Sequence, residues 1–144
     1  MLFTKQVSVF LENRKGRLAE VTKLLADEKI NVRSLSMADM ADLGVLRIIV
    51  DDRHRCMRAL REKGFIAQET DVIAAEIEDK PGGLHRVIEV LGRENVNIEY
   101  MYTFFEKNSD KAIVVLRIND CEGAAAVLQK HGIGVLPGDR IQQL

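Results

Sequence analysis

The chain has 144 residues, a formal net charge of −1, 47% hydrophobic residues and 30% charged ones. That length holds one medium domain or two small ones, and the composition is that of a folded, soluble protein whose expected location is the cytoplasm. A near-neutral balance without a basic block argues against a nucleic-acid partner; there is neither an apolar run long enough to span a membrane nor a signal-peptide pattern at the start.

Val7, Val9 and Leu11 alternate with Ser8 and Phe10, which predicts a strand with one face in a core. Glu12 to Lys15 reads as a polar turn, and Leu18, Val21, Leu24 and Leu25 then recur at helical spacing. Asn31 opens a second strand, Val32 to Met37, followed by a hairpin turn over Asp39 to Gly44 and a third strand, Val45 to Val50. The run Asp51-Asp52-Arg53-His54-Arg55 predicts a helix start with a solvated face. That helix carries Cys56, Met57 and Leu60 inward and stops at Gly64, a C-terminal cap. A short last strand begins near Phe65.

The same order then repeats. Residues 12–32 lie over residues 78–98 at a constant shift of 66, with seven identical pairs in 21 positions, where chance gives about one or two. The pairs include Glu12/Glu78, Gly16/Gly82, Leu18/Leu84, Val21/Val87, Leu25/Leu91 and Asn31/Asn97. Further on, Val45-Leu46-Arg47-Ile48 matches Val115-Leu116-Arg117-Ile118, which implies four extra residues in the preceding turn, Glu106 to Asp110. In the second copy Pro81 suits a first helical turn, and Gly82 or Gly83 permits an unusual backbone angle there. Its second strand is expected over Ile98 to Phe105, its third over Ala112 to Ile118, and its second helix ends at Gly132. The order strand-helix-strand-strand-helix-strand, twice, predicts an α+β chain of two ferredoxin-like βαββαβ domains with antiparallel sheets and both helices on one face. The boundary falls within Glu69 to Val72, giving domains at 1–70 and 71–144. Asp139-Arg140-Ile141 repeats Asp71-Val72-Ile73, so the segment from Arg140 to Leu144 is expected to pair as a strand with the other half.

Side chains with chemical potential are scattered. Cys56 and Cys121 lack metal or disulfide spacing, and His54, His85 and His131 form no ligand pattern, so neither metal nor cofactor is expected. No catalytic constellation is visible. Tyr100, Tyr102 and Phe104 alternate on one strand and resemble a base-stacking surface. The first copy has no counterpart to them, and packing or an interface accounts for them better.

What narrows the function is a polar turn, Gly-x-Leu opening a helix, and Asn-[Val/Ile] opening the next strand. These are Asn13-Arg14-Lys15-Gly16-Arg17-Leu18 with Asn31-Val32, and Asp79-Lys80-Pro81-Gly82-Gly83-Leu84 with Asn97-Ile98. The pattern resembles the ACT domain, the amino-acid-binding regulatory module of biosynthetic enzymes, and covers essentially the whole chain. The resemblance implies a non-catalytic sensor that couples ligand binding to assembly or to a partner. Its implied ligand residues are Asn13, Gly16, Arg17, Leu18 and Asn31 in the first copy, and Asp79, Gly82, Gly83, Leu84 and Asn97 in the second. Implied partners are a small-molecule amino acid, a second copy of the chain, and a regulated enzyme or transcription factor. The rival reading is an interaction subunit with degenerate ligand sites.

Overall fold

Alternation along the first strand becomes a buried face. The computed structural model describes residues 1–40, 42–104 and 110–143. In it, β1 (Thr4–Glu12) pairs antiparallel with β3 (Leu43–Val50), setting Val7 opposite Ile48 and Val9 opposite Leu46. Paired residues share a face, and these four line one core with Val21, Leu24 and Leu25 of α1 (Arg17–Asp27). Cys56, Met57 and Leu60 of α2 (Arg53–Glu62) complete it, so both helices lie on the same side of the strands. β2 (Val32–Met40) pairs with the far side of β3, giving the order β2-β3-β1, with β4 (Ile66–Glu78) next to β1.

Two compact units emerge, one of Lys5–Thr70 and one of Met1–Thr4 with Asp71–Leu144. Residues 1–4 thus group with the second copy rather than with the strand they lead into. Leu2 and Phe3 pack against that copy's core. In the second unit β4 pairs with β6 (Lys111–Arg117), and β6 with β5 (Tyr100–Thr103), all antiparallel. Its core joins Ile73, Ala75, Val114 and Leu116 to α3 (Gly83–Arg93) and α4 (Cys121–Lys130). The fourth strand of this copy shrinks to Val135 bridging Ala75, flanked by bonds from Glu76 N–H to the Gly134 carbonyl and from Leu136 N–H to that of Ala74, each 2.9 Å.

The helix ends repeat in detail. Asp52 and Asp120 cap α2 and α4 by accepting from the amides of Arg55 (3.1 Å) and Gly123 (2.9 Å). Gly64 and Gly132, at φ 83° and 75°, close the same helices as expected. Lys29 and Asn95 close α1 and α3 in the left-handed region at φ 58° and 57°, a role the sequence did not advertise for a lysine.

Three expectations need correction. Val7 pairs with Ile48 while its repeat partner Ile73 pairs with Leu116, so β3 and β6 correspond at a shift of 68. The Val-Leu-Arg-Ile match is therefore two residues out of register, and the second copy's turn is longer by two residues rather than four; an apolar strand can imitate itself at a two-residue slip. The segment after Pro137 is a helix, α5 (Gly138–Gln143), with Ile141 fully buried, rather than a pairing strand. The Pro137 carbonyl accepts from the amides of Arg140 and Ile141, and the Asp139 carboxylate bonds the Arg140 amide, contacts that wind the segment instead of extending it. Finally, Leu18 and Leu84 are 45% and 39% exposed, so they lie off the core stripes of their helices. The expected second-copy hairpin falls on residues 105–109, and one residue of the first hairpin is Ala41; both lie outside the described residues.

Candidate functional site

Each copy enters its first helix through the same backbone construction. The Asn13 amide bonds the Asp42 carbonyl at 2.9 Å, and the Asp79 amide bonds that of Asp110 at 3.3 Å. Gly16 and Gly82 then take φ 92° and 87°, a conformation that strains any residue with a Cβ. Neither helix has a side-chain cap. The Arg17 and Gly83 amides turn back to the Arg14 and Lys80 carbonyls at 3.4 and 3.0 Å, while the next amides of each first turn have no partner inside the helix and lie at the positive end of its dipole. Asn13, Gly16 and Leu18 are exposed on one loop, with Arg17 half-buried beside them; Asp79, Gly82 and Leu84 are exposed on the other, beside buried Gly83.

Asn31 and Asn97 are not at these loops. Each follows the C-terminal end of its helix, and eleven helical residues separate the two ends by about 16 Å. The Asn31 amide bonds the Asp51 carboxylate at 3.0 Å. Asn97 lines a separate cleft of about 470 Å³ with Asn95, Asn119 and Asp120. Within one copy, then, the candidate residues form two groups at opposite ends of a helix.

The second copy's loop borders a cleft of about 360 Å³, floored by Ile77, Val87 and Ile133 and edged by Gly82, Gly83 and Gly134. Glu76, Glu78, Lys80, Arg86 and Lys111 supply its charge. The Lys80 ammonium, 2.7 Å from Glu78, holds that carboxyl below its ordinary range by hydrogen bond and charge, and Arg86 and Lys111 add to the effect. Glu78 in turn raises the Lys80 pKa. Arg86 also donates to the His131 carbonyl at 2.7 Å. A Cβ on Gly83 would fall 1.9 Å from the Glu78 carbonyl oxygen, so the helix start and the end of β4 approach too closely for a side chain. Sequence reading named Gly82 and Gly83 here but missed Glu76, Arg86, Lys111 and Gly134. Their signal lies in positions where the copies differ, which identities between the copies do not reveal.

Elsewhere the chemistry is quiet. Burial pushes the Cys56 thiol up to about 12, helped by Asp52 and Asp51, and burial also raises Cys121. Among the described residues no group of His, Cys, Asp and Glu is arranged to hold a metal ion, and no helix is long and apolar enough to cross a membrane. Tyr100 and Tyr102 are half-buried on one face of β5, as is Phe104 just beyond its end, whereas Met101 on the other face is 41% exposed.

Comparison with known proteins matches the chain over residues 2–142 to a family model described as an ACT domain pair. A solved structure from Bacteroides thetaiotaomicron is 38% identical, with a TM-score of 0.92, covering 99% of this chain and 98% of that one. The regulatory subunit of aspartate kinase from Thermus thermophilus shares the fold at 16% identity and TM-score 0.63, over 88% of this chain and 91% of its own. Aspartokinase III of E. coli, solved with aspartate and ADP, is similar at 16% identity and TM-score 0.54, over 89% of this chain and 32% of its own. No curated protein matches the chain.

Proposed function

We propose that this chain, which belongs to the ACT domain pair family, is a non-catalytic regulatory protein that binds an amino acid and passes the signal to its own assembly or to a partner. The observation that carries the reading is the duplicated helix entry: a left-handed glycine, no side-chain cap, and first-turn amides without a partner inside the helix, at both Gly16 and Gly82. Such an end suits a carboxylate. Exposed Asn13 and Asp79 stand beside it to meet an ammonium group, and Leu18 and Leu84 offer accessible apolar surface. Asn31 and Asn97 lie about 16 Å from the loops of their own copies, so they serve a ligand held by the loop of another copy of the domain. Ligand bridging of that kind favours one assembly over another by its differential affinity for the two. The Thermus structure, named as a regulatory subunit, supports the regulatory role by fold alone.

A thermal-shift screen of the chain against the twenty amino acids tests this reading. A ligand at about a hundred times its Kd adds roughly 2.7 kcal/mol, an easily visible shift. A flat screen at millimolar concentration overturns it in favour of an interaction subunit without ligand, which the exposed Leu35 and Met37 on β2 would suit.

A further inference from the structure

In each copy the end of one helix lies near the start of the other, and a single side chain separates the two copies there. Glu28 closes α1 and Glu94 closes α3, each followed by a residue in the left-handed region. Asp52 opens α2 and Asp120 opens α4, and the Oδ1 of each accepts from the amide three residues on, Arg55 or Gly123. The shared caps put Arg55 and Gly123 at one position of the fold.

In the first copy Arg55 reaches across. Its Nη1 donates to the Glu28 carbonyl at 3.2 Å, and its Nε lies 3.9 Å from Asp52 Oδ2. The guanidinium is thus held between a helix C-terminus, the negative end of its dipole, and a carboxylate that still caps its own helix. Gly123 has no side chain to send, and the equivalents of both acceptors, Glu94 and Asp120, line one open cleft of about 470 Å³. Nothing in the cap calls for glycine, because Asp52 caps an arginine amide in the same way. Glycine also weakens a helix relative to residues that carry a side chain.

The lining suits the missing group. None of the described residues lining the cleft is cationic. The Glu94 carboxylate faces His131 at 3.8 Å, and the Asn119 carboxamide oxygen accepts from Arg117 at 3.3 Å, so both have partners already. What remains is the pair that Arg55 uses in the first copy, the main-chain carbonyl of Glu94 and the Oδ2 of Asp120. Val96, Ile118 and Val127 give the cleft an apolar wall along which a methylene stem can lie.

We propose that this cleft is a guanidinium site, and that it takes from outside, as free arginine or as an arginine side chain of a peptide, the group that Arg55 supplies internally in the first copy. The inference stands on Glu94, Asp120 and Gly123, which the amino-acid-binding reading does not use, and goes beyond that reading.

Titration of the isotope-labelled full chain with Nα-acetyl-L-argininamide, followed by amide chemical shifts, tests it beside the lysine and citrulline counterparts and free L-arginine. The capped arginine lacks the carboxylate and ammonium proposed to meet the Gly16 and Gly82 loops, so it reports on the cleft alone. Saturable shifts at Asn95 and Gly123 are expected, with one ligand per chain. Citrulline, which keeps the shape without the charge, should bind about tenfold more weakly or worse. The lysine form should also be weaker, because Arg55 meets its two acceptors with two different nitrogens. Asp120→Asn keeps a cap acceptor and removes the charge, and should weaken binding by about tenfold. Gly123→Arg installs the first copy's arm and should abolish binding while the far-UV spectrum is kept; its new Cβ meets only the Asp120 carboxylate, a side-chain end that can turn. Tighter binding of free L-arginine than of the capped form supports a metabolite source, and equal or weaker binding supports a peptide side chain. Unchanged binding in Gly123→Arg, equal binding of the citrulline form, or a flat titration at millimolar ligand overturns the site, while the amino-acid-binding reading stands or falls by the thermal screen.

Discussion

Substituting alanine for each of three neighbouring glycines separates three physical causes within one helix. Gly92 lies inside α3 with open space around it, so a methyl group there only removes freedom from the unfolded chain and stabilises by about 0.5–1 kcal/mol. Gly82 also has no neighbour within 4 Å of a new Cβ, but its φ of +87° makes alanine cost roughly 1–2 kcal/mol. Gly83 has no such backbone demand; its Cβ would stand 1.9 Å from the Glu78 oxygen and 2.9 Å from the Glu78 carbonyl carbon, neither of which is a movable side-chain end. Relief must come from parting helix and strand, with loss of the 3.0 Å bond from the Gly83 amide to Lys80. Overpacking of about 1–3 kcal/mol plus about 1 kcal/mol for the bond gives roughly 2–4 kcal/mol. In urea, at a slope of about 2 kcal/mol per molar, the midpoint should rise by about 0.3–0.5 M for Gly92→Ala. It should fall by about 0.5–1 M for Gly82→Ala and about 1–2 M for Gly83→Ala, read by far-UV circular dichroism. A Gly83→Ala midpoint no lower than that of Gly82→Ala would refute the close approach, and with it the reason for glycine at the cleft edge.

Two further tests address the thiols and the caps. Because burial holds Cys56 at about 12 and raises Cys121, neither should react with Ellman's reagent at pH 8 in the native protein, and both should react in guanidinium. The sign follows for stability: an unfolded Cys56 ionises near 9 and the folded one only near 12, so its share of stability is complete below pH 9 and is lost as pH rises towards 12. Melting at pH 8 and pH 10 in wild type and Cys56→Ala should show the steeper decline in wild type. Asp52→Ala and Asp120→Ala should each cost about 0.5–2 kcal/mol by loss of the helix cap, and equal penalties would match their equal geometry. A neutral result at either position in urea denaturation would contradict the capping role.

How much of this was legible depends on whether a feature repeats. Val21, Leu25, Val87 and Leu91 recur at helical spacing in both copies and are all buried, because periodicity and burial have a common cause. Gly64 and Gly132 were readable as caps, since few residues other than glycine adopt their angles cheaply. Lys29 was not, because its left-handed conformation is imposed by the bond from the Ile30 amide to the Leu25 carbonyl rather than by its side chain. The α5 helix was hidden by length: six residues with one apolar anchor, Ile141, carry no period to detect. The cleft beside Gly123 was hidden for a subtler reason. Arg55 and Gly123 occupy one register position, and such a difference between copies acquires meaning only when Glu28 and Glu94 are known to stand across from it.

The grouping of Met1–Thr4 with the second unit bears on the order in which the chain assembles. The Gly138 amide bonds the Met1 carbonyl at 3.0 Å, and a Cβ on Gly138 would meet the Phe3 carbonyl oxygen at 2.3 Å, so these distant segments close tightly on each other. Everything from Lys5 to Thr70 lies between them in the chain, whereas that first unit is contiguous in sequence. Closing so long a span is entropically dearer than closing any turn inside the first unit, and contacts of such separation form slowly. Once residues 5–70 are folded, however, their conformational freedom no longer enters that closure, and the remaining search shrinks to the residues after Thr70. The contiguous unit is therefore the natural early folding nucleus, and docking of the first four residues onto Gly138 is the late step that seals the other.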